Sequence, residues 1–269
     1  MNNRKLSFSV AAIIVLVLTS FSLLVPITAS AQSELYKSCE EYKLTAPLNL
    51  DATSAATQEA TPAATEAASA ATGSDNIAFL SIVGSESQAC YLASETFLQN
   101  NMMNLPAGFN GAVGVTKTIS GDIAVDLTNV ANSQIGDITI NISEFKSDND
   151  RRDGFIRQNF LQSNKYPYAT LTNATFEGLP TGAYQDGTTL KFKIKGMLTV
   201  HDTKRDTTFD ATGTYKDGAL VVTATTDLKM SDFGIEVPNI GGLLKVDDAI
   251  RLMVNLVARA SEATPTPTK

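Results

Sequence analysis

A chain of 269 residues with a net charge of −7 lacks the clustered Lys and Arg that phosphate backbones require, which argues against a nucleic-acid partner. The same balance argues against docking on anionic lipid by charge alone. One histidine and two cysteines leave little material for a metal centre or a histidine-based triad.

The chain opens with an export pattern. Arg4 and Lys5 precede an apolar run from Val10 to Val25, and Ala29-Ser30-Ala31 offers small residues on either side of a cleavage site. Residues 1–31 are therefore expected to be a signal peptide, which gives a secreted, periplasmic or otherwise extracytoplasmic domain. The alternative is a membrane anchor left uncleaved, because the run is long. A true span takes about 20 apolar residues, and Ser20, Ser22 and Pro26 interrupt this one. Bulky Leu35, Tyr36 and Lys37 before Cys39 do not form a lipidation site. Cys39 and Cys90 make an even count, which permits one disulfide in an oxidising compartment. Two free thiols remain the other possibility.

Residues 32–75 read as an N-terminal extension that carries an Ala/Thr/Ser-rich linker over residues 51–73. Such a stretch has too few large apolar side chains to offset its ordering entropy. A Thr/Pro tail over residues 261–269 has the same character. Residues 76–260 between them make one domain, long enough to bury a sizeable core.

That domain reads as β-structure from end to end. Strands are expected over 77–83, 88–97 and 115–127. Ile138, Ile140 and Ile142 then alternate with Thr139, Asn141 and Ser143, the period of two that makes one face apolar. Residues 147–160 break the pattern with a short helix. Asp148 or Asn149 can cap it, and Phe155, Ile156, Asn159 and Phe160 share one of its faces. Strands resume over 168–176. Leu190, Phe192, Ile194, Leu198 and Val200 alternate with Lys191, Lys193 and Lys195 in the next. Others follow over 207–215, over Leu220 to Thr226 and over Ile250 to Ala258, with turn signals at Asp186-Gly187 and Lys216-Asp217-Gly218. With 77–97 taken as one bent strand the count is eight. A closed antiparallel barrel and a two-sheet sandwich both fit this pattern.

Several elements occur in an order that resembles one known family. They are Arg152-Asp153 on the helix, Tyr166-Pro167 entering a strand, Gly196 with Leu198-Thr199, and Asp232-Phe233-Gly234 before the last strand. The chain resembles the YceI family of secreted, lipocalin-like proteins that bind polyisoprenoid-type lipids. The sequence departs from the family pattern at Asp202 and at Arg205-Asp206, which puts the shape of that hairpin in question. The resemblance implies an eight-stranded antiparallel lipocalin-like barrel with one short helix near a barrel end. It also implies a lipid partner, an isoprenoid or other long-chain amphiphile, with membrane contact as the route of exchange.

The inward phase of the strands, taken with the resemblance, names cavity candidates: Ile140, Ile142, Leu171, Phe192, Ile194, Leu198, Phe209, Val222, Leu252 and Val254. Pure core packing would give the same phase. Met102, Met103, Leu105 and Phe109 are candidate lid residues, since Met-rich segments adapt to varied apolar ligands. Ordinary packing against a barrel end explains them equally. Arg152 and Asp153 have two readings, a polar contact at the cavity mouth or an ion pair that fixes the helix to a strand.

No catalytic motif is found. His201 sits beside an expected turn, no nucleophile elbow or phosphate-cradling loop occurs, and Asp148, Asp150 and Asp153 lack the distal Glu of a calcium loop. The reading is a binding protein with no cofactor and no metal. The alternatives are a barrel filled by its own side chains, acting as a structural or stress-related module, and an enzyme of a kind the motifs do not reveal.

Overall fold

The computed structural model describes residues 38–42, 44–48, 50, 76–97, 108–240 and 244–260. The expected signal segment, the linker, the C-terminal tail and the lid candidates Met102, Met103 and Leu105 lie outside the described residues.

Thirteen strand segments form one sheet of antiparallel ladders. They are β1 (Ile77–Ile82), β2 (Gln88–Phe97), β3 (Gly108–Thr116), β4 (Ile119–Ser120), β5 (Asp122–Asp126), β6 (Gln134–Ile135), β7 (Ile138–Asn141), β8 (Tyr168–Glu177), β9 (Thr189–Val200), β10 (Thr203–Lys216), β11 (Ala219–Lys229), β12 (Asn239–Ile240) and β13 (Leu244–Ala260). One α-helix, α1 (Asp150–Asn159), stands between β7 and β8. The hydrogen-bonded path runs β4-β7-β8-β9-β10-β11-β13-β1-β5-β6, and β2 branches from β13 to carry β3.

This corrects the expected closed barrel of eight strands. Ten of the segments are longer than two residues, and the sheet curls into a half-barrel that does not close. Two physical facts account for the difference. The single strand expected over 115–127 is the end of β3 followed by β4 and β5, and Gly121, with a φ of +153°, turns the chain between the last two. One piece then pairs with β7 and the other with β1. Hydrophobic alternation also says which face of a strand is buried but not which neighbours its edges find. β13 pairs along one edge with β11, while its other edge is divided between β1 and β2.

The structure settles the hairpin that Asp202 and Arg205-Asp206 put in question and the choice of helix cap. The β9–β10 turn is a two-residue connection in which His201 and Asp202 both take positive φ, 54° and 58°. That is the geometry preferred by twisted hairpins, adopted here without glycine. Asn149 caps α1: its Oδ1 accepts from the backbone N–H groups of Arg151 at 3.0 Å and Arg152 at 3.1 Å.

The main core lies inside the curl, with Leu80, Ile123, Ile194, Val222, Phe233 and Leu256 all buried. A second, smaller cluster lies behind β2 and β3. Cys39, Cys90, Leu92 and Met253 are buried there, with Tyr42 and Leu44 of the extension packed against them. Cys39 and Cys90 form a disulfide with Cα atoms 6.1 Å apart, and the Cys39 N–H donates to Gln88 Oε1 at 3.0 Å. Gly111 of β3 makes room for this docking, because a Cβ there would stand 2.8 Å from the Leu44 carbonyl oxygen.

The disulfide closes a sequence separation of 51 residues. In the chain-entropy account such a loop contributes about 4 kcal/mol. Replacing both cysteines by Ala is therefore expected to lower the urea midpoint by an amount equivalent to about 2–4 kcal/mol. Reductant should bring the wild-type protein to the same midpoint and leave the variant unchanged.

Candidate functional site

The strands that curl around the main core leave an apolar cavity of about 190 Å³ among their inner faces. Its wall runs along the length of β13, from Leu244 through Ile250 and Leu252 to Leu256. At a strand rise of ~3.3 Å per residue that is on the order of 30–40 Å. A small volume drawn out over such a distance is a narrow channel, below the roughly 300–1,000 Å³ of compact ligand pockets.

Eight of the ten cavity candidates line this channel: Ile140, Ile142, Leu171, Ile194, Leu198, Phe209, Leu252 and Val254. The other two stand elsewhere. Val222 is buried in side-chain packing, and Phe192 packs edge-on against Phe176 with ring centroids 5.4 Å apart. They share the strand phase of their neighbours but do not line the empty space. Among the lid candidates, Phe109 falls in β3, is partly exposed and does not line the channel.

The helix supplies wall that strand periodicity could not. Arg152, Phe155, Ile156 and Phe160 all face the channel, and Phe155 and Phe160 meet edge to face at 5.4 Å. Phe155 also remains 44% exposed, so this aromatic pair sits where the channel meets solvent.

One end of the channel is polar. Along β2 the alternation places Ala89, Tyr91, Ala93 and Glu95 in the wall. Glu95 is only 4% exposed. Its Oε2 accepts from Asn110 Nδ2 at 3.1 Å, the residue directly opposite on β3. Its Oε1 faces Arg152 Nε at 3.5 Å. Burial pushes the Glu95 carboxyl above its ordinary value, and Arg152 and Asn110 oppose that rise. Burial likewise raises the Tyr91 hydroxyl, so it stays neutral.

Arg152 thus ties α1 to a strand and borders the channel at once. Its Nη1 donates to Asp148 Oδ1 at 2.9 Å. Asp153 does neither: it is buried and accepts from the Ser147 N–H at 3.0 Å and from the Ser147 hydroxyl at 2.6 Å, closing the turn into the helix. Among the described residues no group of three or more His, Cys, Asp or Glu is placed to hold a metal ion.

Sequence reasoning missed Glu95 and Tyr91. The signal was present in phase: Glu95 is the one charge between Gln88 and Phe97, on the same side as Ala89, Tyr91 and Ala93. A lone carboxylate on the inward face of a buried strand is a marker of a polar site.

Tyr91 depends on its neighbour across the ladder. A Cβ on Gly114 would stand 2.2 Å from the Tyr91 ring, and the ring's edge meets Phe145 at 5.2 Å between centroids. Gly114→Ala is expected to cost about 1–3 kcal/mol of stability. A urea titration of the variant measures it, and tyrosine fluorescence should report a more exposed Tyr91.

Comparison with known families matches residues 93–258 to the YceI-like domain. No curated protein matches the chain. Among solved structures it is similar to BcnA of Burkholderia cenocepacia, at 16% identity over 65% of this chain and 98% of that one, with a TM-score of 0.48. A polyisoprenoid binding domain from Saccharophagus degradans, implicated in plant cell wall breakdown, is 13% identical over 69% and 99%, with a TM-score of 0.48. The Campylobacter jejuni YCEI protein is 26% identical over 54% and 83%, with a TM-score of 0.44. The family match spans more than half of the sequence, and the chain belongs to the YceI-like family.

Proposed function

We propose that this YceI-like domain is an extracytoplasmic binding protein that holds the hydrocarbon chain of an isoprenoid or similar long-chain amphiphile in its channel. The observation that carries this reading is the channel's shape and lining: long, narrow and apolar along β13, with Glu95 and Arg152 bordering one end. A compact ring system would leave most of that length empty, whereas an extended chain follows it. Each Å² of apolar surface removed from water contributes about 25 cal/mol. A long chain therefore accumulates affinity after its ordering costs are met.

The role is binding rather than catalysis. Apart from Thr170, the polar residues lining the channel among those described are Tyr91, Glu95 and Arg152; Glu95 and Arg152 face each other across β2 and the helix, and the Tyr91 ring packs against Phe145. Phe155 at the mouth gives the ligand an apolar step between a bilayer and the channel.

The ligand is tested by extracting the full-length protein, purified from its native source, with organic solvent. A long-chain lipid in the extract, near one per protein, is the expected result. Leu252→Asp should remain folded by circular dichroism and lose most of that lipid, because a carboxylate in the apolar wall opposes chain burial. An empty extract, together with no uptake of an added isoprenoid, would leave a half-barrel filled by its own side chains.

The export part of the reading rests on the Arg4 to Ala31 pattern and on the paired cysteines. Mass spectrometry of the mature protein should give an N-terminus at or near Gln32. A mature protein that begins near Met1 would contradict cleavage.

A further inference from the structure

The polar end of the channel says more about the ligand than its apolar walls do. Glu95 and Arg152 are opposite charges held close but not joined in a fork. Their 3.5 Å separation exceeds the ~2.7–2.9 Å of a charge-assisted hydrogen bond. Asn110 engages one carboxylate oxygen, and Asp148 engages one nitrogen of the guanidinium. Among the described residues no hydrogen bond engages Arg152 Nη2. A carboxylate offers about four acceptor sites and a guanidinium five donors, so both groups, which border the channel, keep unused hydrogen-bonding capacity.

We propose that Glu95 and Arg152 form a head-group site that takes an uncharged, hydroxyl-bearing lipid, such as a long-chain isoprenoid alcohol or phenol, and rejects its phosphate ester. The proposal deepens the lipid-binding reading and rests on it. A hydroxyl suits the pair because it does two things at once. Its oxygen accepts from the guanidinium of Arg152, and its O–H donates to the carboxylate of Glu95. The neutral Tyr91 hydroxyl, on the same face of β2, lies in the wall beside them.

A phosphate monoester fits poorly. It carries about −1.5 to −2 charges and has acceptor oxygens in excess of donors. Arg152 alone would welcome it, but among the described residues the charges that act on the neighbouring Tyr91 hydroxyl are one cation, Arg152, against three carboxylates, Glu95, Asp148 and Asp153. Glu95 is buried, so its charge is weakly screened. Bringing a phosphate to Arg152 would set two anions side by side at the least solvated point of the site.

The test compares two probes that share a chain and differ at the head: all-trans-geranylgeraniol and geranylgeranyl monophosphate. The full-length protein is stripped of lipid, and each probe competes with a fluorescent chain analogue. The alcohol is expected to bind at least about tenfold more tightly. Glu95→Gln removes the buried charge and should narrow the preference to within about threefold, chiefly through tighter phosphate binding. Asp148→Asn alters an exposed residue and supplies a second variant should Glu95→Gln fail to fold. It is expected to shift the preference the same way by a smaller factor.

A wild-type protein that binds the phosphate as tightly as the alcohol overturns the proposal and leaves lipid binding standing. So does a preference that neither folded variant changes. Binding of neither probe overturns lipid binding itself.

Discussion

The two edges of β13 set the rest of the structure. A strand of 17 residues is long for a globular domain, and this one serves four neighbours, β1, β2, β11 and the two-residue β12. One edge runs beside β11 from Lys229↔Ala249 to Ala219↔Arg259. The other gives its C-terminal end to β1 and the rest to β2, with a register shift between Val246 and Ile250. Two strands cannot share one edge and stay in a single smooth surface. The sheet branches where β1 and β2 part, and the channel runs along the inner face of β13 on the side that β2 takes. Bulges commonly mark such bends. Inward residues of β13 on both sides of the shift line the channel, so the strand that divides the sheet is also its longest wall.

Much of the strand content was legible because burial on one face imposes a period of two. β7 and β9 begin and end close to where alternation places them, β10 starts four residues earlier and β11 ends three residues later than expected, and of the two expected caps of α1 Asn149 is the one used. The segments that escaped notice are those in which period two is weak. β3 holds Gly108, Gly111 and Gly114, residues that disfavour strands on propensity alone. They are present because other chain comes close, the extension at Gly111 and the Tyr91 ring at Gly114. Edge pairing left no mark in the sequence, since each strand's hydrogen-bonding groups are backbone atoms that all residues share. For that reason eight strands in a closed ring were expected where a curled, branched sheet is found.

The site was legible to the same extent and for the same reason. Phase alone put Ile194, Leu198, Leu252 and Val254 on the inner surface. It did not separate space filled by side chains from space left open, so Val222 and Phe192 were grouped with the channel residues. That distinction depends on how strongly the sheet curls at each strand, a property of the whole assembly. The polar end was recoverable in principle. A carboxylate in phase with Ala89, Tyr91 and Ala93 contradicts the burial of its strand, and such conflicts between local rule and global fold concentrate at functional positions.

β2 links these observations, because its two faces do different work. The inner face presents Tyr91 and Glu95 to the channel. The outer face presents Cys90 and Leu92 to the extension, where Cys39, Tyr42 and Leu44 cover it. Without that cover β2 and β3 would form a two-stranded leaf hanging from β13, marginal in stability by itself. The disulfide holds the extension against the leaf and so shields it from behind. The leaf is also where the structure buries a carboxylate, the costliest element of the channel wall. A site that must keep Glu95 desolvated and close to Arg152 needs a backbone that does not yield. The covalent link from Cys39 to Cys90 stands five residues from Glu95 on that strand, which places the strongest restraint in the domain beside its least favourable burial.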